Sequence, residues 1–343
     1  MKNRNIIKKF LALSLCAVLV LSLAACTGST TNDDPTPSAD NTGDDIQTET
    51  TAYKVAIIKQ MDHASLDEIA NAVAAQLDTY GVEYEIYSGQ GDQTILTQLC
   101  NQAIADDVDA IIPIATLAAQ VATTSALYSQ TPVVYAAISD PEAAKLTGID
   151  YVTGTSDALN TAFILDMMLA ANPEVKTVGL LYSLSEANST TPIADAKAYL
   201  DAKGIAYTEA TANTNDEVIA AAKTLIAQKV DAIFTPTDNI IMAAELAIYE
   251  DLAEAGIPHY TGADSFVRNG AFATCGVNYT DLGTKTADYA YQAITQNVAD
   301  MADYYLMDGG IITVNTETAA ALGVDYSVFE SMGTLVEVTT TED

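Results

Sequence analysis

Tryptophan is absent from the 343 residues, and arginine is almost absent: beyond Arg4 there is only Arg268. A ligand carboxylate would therefore be met by backbone N–H groups and hydroxyls and not by a guanidinium fork. Only two histidines occur, His63 and His259, far apart and with no cysteine or second histidine beside either. No zinc set at ligand spacing exists, and neither a metal nor a cofactor is expected. There is no G-x-S-x-G and no phosphate-loop pattern; Gly89-Gln90-Gly91 has no lysine after it and reads as a turn. No constellation of nucleophile and base is visible, so catalysis is not expected. The four cysteines fit neither a CxxC nor a metal knuckle. Cys100 and Cys275 read as buried small residues and not as a bridge.

Positive charge is scarce as well. Of 14 basic residues four precede Phe10, which leaves ten against 46 acidic ones. A surface so acidic excludes nucleic acid, and excludes binding of anionic lipid through a basic patch.

What is present begins with Lys2, Arg4, Lys8 and Lys9, followed by an apolar run from Phe10 to Ala24 that closes on Leu23-Ala24-Ala25-Cys26. The run is shorter than the about 20 residues of a spanning helix and ends in small residues, the pattern of a lipoprotein signal peptide over residues 1–25. Cys26 would then carry the lipid, and two acyl chains suffice for stable membrane attachment. Residues 26–52 are rich in Ser, Thr, Asp and Pro with no aromatic residue. Such a stretch cannot bury enough apolar surface to offset its ordering entropy, and it reads as a disordered tether.

From Tyr53 onward, β-rich runs alternate with helical patterns. The runs are 54–59, 82–88, 109–114, 132–138, 177–183, 205–210, 231–236 and 258–263; between them, segments such as 66–81, 93–107, 192–204 and 217–229 space apolar residues three and four apart. This alternation predicts an α/β fold with parallel sheets covered by helices and joined by right-handed crossovers. It runs twice, before about residue 140 and again from about 175, which implies two Rossmann-like lobes.

In such folds ligands sit beyond the carboxyl ends of the strands. Those loops hold the candidate binding residues. Gln60 and His63 follow the first run. Thr116 is expected to cap a helix and leave N–H groups facing an anion. Ser185, Asn188 and Ser189 offer equivalent donors on the second lobe. Asp140, Asp238 and Asp264 end strands, where a carboxylate suits an ammonium group.

These loops also carry a resemblance. VAIIKQMDHASLDE, SGQGDQ, IATLAAQ, ISDPEAAKL, VTGTSD, LLYSLSEANS, TPTDN, NGAFATCGVNYTDLGTKTA and TVNTETAAALGVD occur in order over nearly all of Tyr53 to Asp325. The chain resembles the ABC-transporter substrate-binding lipoproteins of the tryptophan-, phenylalanine- and tyrosine-binding type. It departs from them at Asp62-His63-Ala64, where members often have Glu-His-Pro, and at Lys145, where they have Gly.

The resemblance implies the type I periplasmic-binding architecture. One lobe would comprise 53–156 and 264–300, the other 157–263 and 301–343, with an amino acid enclosed between them. Gln120 would join Thr116 in lining the first lobe. The ligand carboxylate would meet Thr116 and the Ser185 to Ser189 loop, its ammonium Asp140 or Asp238, and its side chain an aromatic residue such as Tyr182. The expected partners are an aromatic amino acid, the permease subunits and the membrane at the outer face of the cytoplasmic membrane, with the protein a monomer. The competing readings are a sugar, nucleoside or autoinducer receptor on the same fold, or a ligand-sensing lipoprotein. The lack of tryptophan beside 18 tyrosines lowers the sugar reading.

Overall fold

The computed structural model describes residues 52–341. The expected signal peptide, Cys26 with its expected lipid, and all of the expected tether but Ala52 lie outside the described residues. The chain runs β1 (Lys54–Lys59), α1 (Ala64–Tyr80), β2 (Glu83–Ser88), α2 (Gln93–Ala105), β3 (Ala110–Ile114), α3 (Thr116–Ser125), β4 (Val133–Tyr135) and β5 (Val152–Ser156). It continues through α4 (Thr161–Ala171), β6 (Thr177–Tyr182), α5 (Thr190–Lys203), β7 (Ala206–Thr211), α6 (Asn215–Gln228), β8 (Ala232–Thr235) and α7 (Asn239–Met242). Next come α8 (Tyr249–Glu254), β9 (His259–Thr261), α9 (Asp264–Arg268), β10 (Ala273–Gly276), α10 (Tyr279–Thr295) and β11 (Tyr305–Leu306). The last elements are β12 (Ile311–Asn315), α11 (Thr316–Leu322) and β13 (Thr334–Val338).

The strands form two sheets, one ordered β11-β5-β4-β3-β1-β2 and the other β13-β12-β10-β9-β8-β6-β7. The first is wholly parallel; in the second only β10 and β12 run antiparallel. Central strands read as continuous apolar runs because helices cover both faces: all of β3 is buried, whereas β2, at an edge, is mostly exposed. On one face of the first sheet Leu96, Cys100 and Tyr135 share a core; on the other, Val55, Ile57 and Ile112 pack beneath α1 and α10. Glycine is required where backbones meet closely. A Cβ on Gly154 of β5 would stand 2.2 Å from the Tyr135 carbonyl oxygen of β4, and one on Gly283 of α10 would stand 2.6 Å from the Ile69 carbonyl oxygen of α1. Cys100 and Cys275 are buried and free.

The chain passes between the sheets three times, at 157–160, 277–278 and 307–310. These positions differ from the boundaries expected from the sequence. Residues 264–276, expected in the first lobe, form α9 and β10 of the second sheet, and β11, expected in the second lobe, pairs with β5 of the first. The α10 segment 279–295 does pack on the first sheet. The physical reason is that a short strand joins the sheet whose hydrogen-bonding edge is open to it, and no local pattern shows which edge that is.

Candidate functional site

The carboxyl ends of both sets of strands face a common cleft, and the loops there close around a small cavity. The first lobe lines it with His63, Ser65, Leu66, Thr116, Ser139 and Tyr279, the second with Asn188, Thr237, Asp238, Asn239, Met242 and Phe266. Asp157, on the first crossover, completes the wall. Two alanines in this wall have left-handed backbone, Ala115 at φ 77° and Ala137 at φ 58°. Each non-glycine residue in such a conformation costs about 1–3 kcal/mol, a cost concentrated where the two loops turn toward the cavity.

Hydrogen bonds join the lobes across the cleft. Gln60 Nε2 donates to Glu186 Oε1 at 2.8 Å, His63 Nε2 lies 3.0 Å from Asn239 Oδ1, and the Ser139 and Thr237 hydroxyls are 2.9 Å apart. The Ser65 and Ser265 hydroxyls are also bonded. At the rim Thr191 Oγ1 donates to Asp140 Oδ2 at 2.8 Å.

Three buried carboxylates surround the cavity, and their roles differ by what already binds them. Asp238 caps α7: Oδ1 accepts from the Ile240 and Ile241 N–H groups, and Oδ2 from the Ser183 N–H at 2.7 Å and the Ser189 hydroxyl at 2.6 Å. Four donors leave it little capacity for a ligand. Glu186 sits behind the wall between Gln60 and Asn239 Nδ2, and burial, reinforced by the nearby Asp238, pushes its pKa up to about 7. Asp157 is held more lightly, by one hydroxyl on each oxygen: Ser139 Oγ at 3.0 Å and Tyr279 OH at 3.1 Å. Burial raises its pKa, with the two hydroxyls opposing. A buried carboxylate with no cation beside it is suited to a ligand ammonium group.

Of the residues singled out from the sequence, His63, Thr116, Asn188 and Asp238 line the cavity. Thr116 is the first residue of α3 and not its cap, a position taken by Ala115. Gln60 is used internally, its Oε1 accepting from the Leu117 N–H at 3.0 Å. Ser189 binds Asp238. The remaining four do not reach the cavity. Gln120 donates to the Ala144 carbonyl, and Asp140 caps the 141–144 turn on the outer side. Ser185 is exposed and bonded to Ser183, and Asp264 pairs with Arg268. Tyr182 turns away too, its hydroxyl donating to Glu209 at 2.6 Å while its ring packs in the second lobe's core.

Ser139, Asp157, Phe266 and Tyr279 were missed. Asp157 and Tyr279 lie beside crossovers, where no strand pattern precedes them strongly. The signal that could have found Asp157 is its place at the end of VTGTSD, the one polar strand followed by an acid.

Comparison with known proteins agrees with this geometry. Residues 54–332 match the family described as ABC transporter substrate binding protein. A tyrosine-binding protein of Clostridioides difficile is 27% identical over 92% of each chain. A domain from Streptococcus pneumoniae solved in complex with L-Trp is 28% identical, with a TM-score of 0.77 over 83% of this chain and 100% of that one. The ligand-free, open structure of a substrate-binding protein with adhesive properties from Clostridium difficile is 27% identical, with a TM-score of 0.63 over 84% of this chain and 100% of that one. With the match spanning both lobes and all three crossovers, the chain belongs to the family of ABC transporter substrate-binding proteins.

Proposed function

We propose that the chain captures an aromatic amino acid between its lobes, outside the cytoplasm, and delivers it to the permease of an ABC importer. The observation that carries this reading is the enclosed cavity with a lightly held acid, Asp157, and an apolar wall of Leu66, Met242 and Phe266. Asp157 would take the ammonium group. Thr116 and the N–H groups that begin α3 would take the carboxylate, and the apolar wall the ring. The relatives named for tyrosine and solved with L-Trp support the ligand class. The arrangement here fits a closed state: bonds cross the cleft, and the match is better to the L-Trp complex than to the open form at nearly equal identity. A ligand touching both lobes would favour that state over the open one.

A thermal-shift series of the domain beginning at Tyr53 tests the reading. Tyrosine, tryptophan or phenylalanine should raise the melting temperature in a concentration-dependent way, because a ligand bound only to the folded state stabilises it by mass action. Sugars and nucleosides should not. A shift with a sugar alone would replace the amino acid as cargo.

Attachment to the membrane through lipid on Cys26 belongs to the same proposal. Among the described residues no helix is long and apolar enough to cross a membrane. Cys26→Ser should release the protein from the membrane fraction of expressing cells into the medium. Retention of that variant in the membrane fraction would reject the anchor.

A further inference from the structure

The residues lining the cavity include two buried hydrogen-bond acceptors that no protein donor reaches. In the first sheet β1 is separated from β5 by β3 and β4. At about 4.8 Å per strand, the loop carrying His63 leaves the sheet roughly 14 Å from the one carrying Asp157. In the second sheet β6, which leads to Asn188, is likewise separated from β10 by β8 and β9. The Asn188 amide is oriented by donating Nδ2 to the Thr237 carbonyl at 2.7 Å, which leaves Oδ1 buried without a partner. His63 Nδ1 is also buried without a partner.

The state of that ring nitrogen follows from the bonds behind it. Gln60 Oε1 accepts from Leu117 N–H, so Gln60 Nε2 donates to Glu186 Oε1. With Glu186 ionised, its Oε2 accepts from Asn239 Nδ2 at 2.6 Å, which leaves Asn239 Oδ1 as the acceptor facing His63 Nε2. Nε2 therefore carries the proton. A neutral imidazole has one N–H, so Nδ1 is a bare acceptor. Burial holds the His63 pKa down to about 4, against the nearby Asn239 and carboxylates, and keeps the ring neutral above that.

We propose that His63 Nδ1 accepts a hydrogen bond from the side chain of the bound amino acid, selecting tyrosine or tryptophan over phenylalanine. The inference rests on the cavity being an aromatic amino-acid site. A phenol O–H or an indole N–H satisfies the acceptor, whereas phenylalanine leaves it buried and unpaired. Asn188, which lines the cavity from the opposite lobe, adds a second unpartnered acceptor in Oδ1, so an all-carbon side chain suits neither residue.

Calorimetric titration with L-tyrosine, L-tryptophan and L-phenylalanine tests this on the wild type, His63→Leu and Glu186→Gln. The wild type should bind tyrosine and tryptophan at least about tenfold more tightly than phenylalanine. His63→Leu should bring those ratios close to unity through loss of tyrosine and tryptophan affinity. His63 makes no side-chain capping bond to α1, so the helix start is preserved, and the ligand-free melting temperature of each variant reports its folding. Glu186→Gln gives an independent readout. A glutamine there accepts from Gln60 and donates to Asn239, which turns the Asn239 amide and moves the His63 proton to Nδ1. A phenol oxygen can accept from that N–H and an indole cannot, so tryptophan should lose about tenfold relative to tyrosine. Ratios unchanged by His63→Leu, or a parallel fall for all three ligands, would overturn the proposal while leaving the aromatic site intact. If the wild type binds none of the three, the aromatic reading fails and this inference with it.

Discussion

Asp157→Asn is expected to weaken amino-acid binding by at least about thirtyfold, the consequence of removing one partner of a buried charge pair worth about 2–5 kcal/mol. Asp157 is 5% exposed and its carboxylate is held by the Ser139 and Tyr279 hydroxyls with its own backbone N–H nearby, so the ligand ammonium would be its cationic partner. The same substitution should leave the ligand-free protein as stable as the wild type, or more so. Burial raises the Asp157 pKa, which means that folding disfavours the ionised form; this cost grows as pH rises through the folded pKa, and an amide does not incur it. Binding lost with stability kept marks a ligand contact, as distinct from a structural one. Asp140→Ala provides the contrast, because Asp140 is engaged with Ala143 N–H and Thr191 outside the cavity. Its Kd should change by less than about threefold, the range of a surface substitution. If titration calorimetry instead shows Asp140→Ala abolishing binding and Asp157→Asn leaving it intact, the head-group assignment is wrong.

The largest stability effect is expected at His259→Leu. His259 Nδ1 lies 3.0 Å from Glu245 Oε1, and His259 Nε2 lies 2.8 Å from Thr235 Oγ1. Glu245 is fully buried, and its second oxygen has no partner at all. Removing the imidazole leaves both Glu245 side-chain oxygens and the Thr235 hydroxyl buried without it, and a buried polar group left without its partner costs about 1–3 kcal/mol. In a chain of this size that corresponds to a fall of roughly 5 °C in melting temperature. Replacing both residues, His259→Leu with Glu245→Leu, should recover most of the loss, since apolar groups of similar volume in place of both members of a buried hydrogen-bonded pair are often nearly neutral. Urea unfolding of the single and double variants measures both. A single variant as stable as the wild type would overturn the expectation.

Much of the architecture was legible because it repeats a local pattern. The eight β-rich runs read from the sequence are β1 to β4 and β6 to β9, and the helical segments at 66–81, 93–107, 192–204 and 217–229 match α1, α2, α5 and α6 within two residues or so at each end. Among the strands that escaped notice, β5 carries polar residues, as in VTGTS, and β11 is very short, Tyr305–Leu306. Their strand character comes from pairing with a neighbour and not from their own composition. α10 does carry the helical period, its buried residues Tyr279, Leu282, Gly283, Thr286, Ala287 and Ala290 recurring three and four apart, but small and polar residues stand where large apolar ones would announce a core face.

Candidate binding residues divide along the same line. Loops at the carboxyl ends of strands could be found from the βα alternation alone, and four of the ten residues drawn from them line the cavity. Which acid serves the ligand could not be read there. Asp140, Asp157, Asp238 and Asp264 are alike as sequence, and they differ only in what the fold brings to them: a turn and Thr191, two hydroxyls, four capping donors, or Arg268. The scarcity of arginine and tryptophan, the acidic surface and the two-lobed α/β alternation were determined by the sequence itself, because composition and periodicity act locally. The positions of the three crossovers, the cavity and the partners that set Asp157 apart from its neighbours were decided only in the tertiary structure, because the partners of a buried polar group come from distant segments that only folding brings within hydrogen-bond reach.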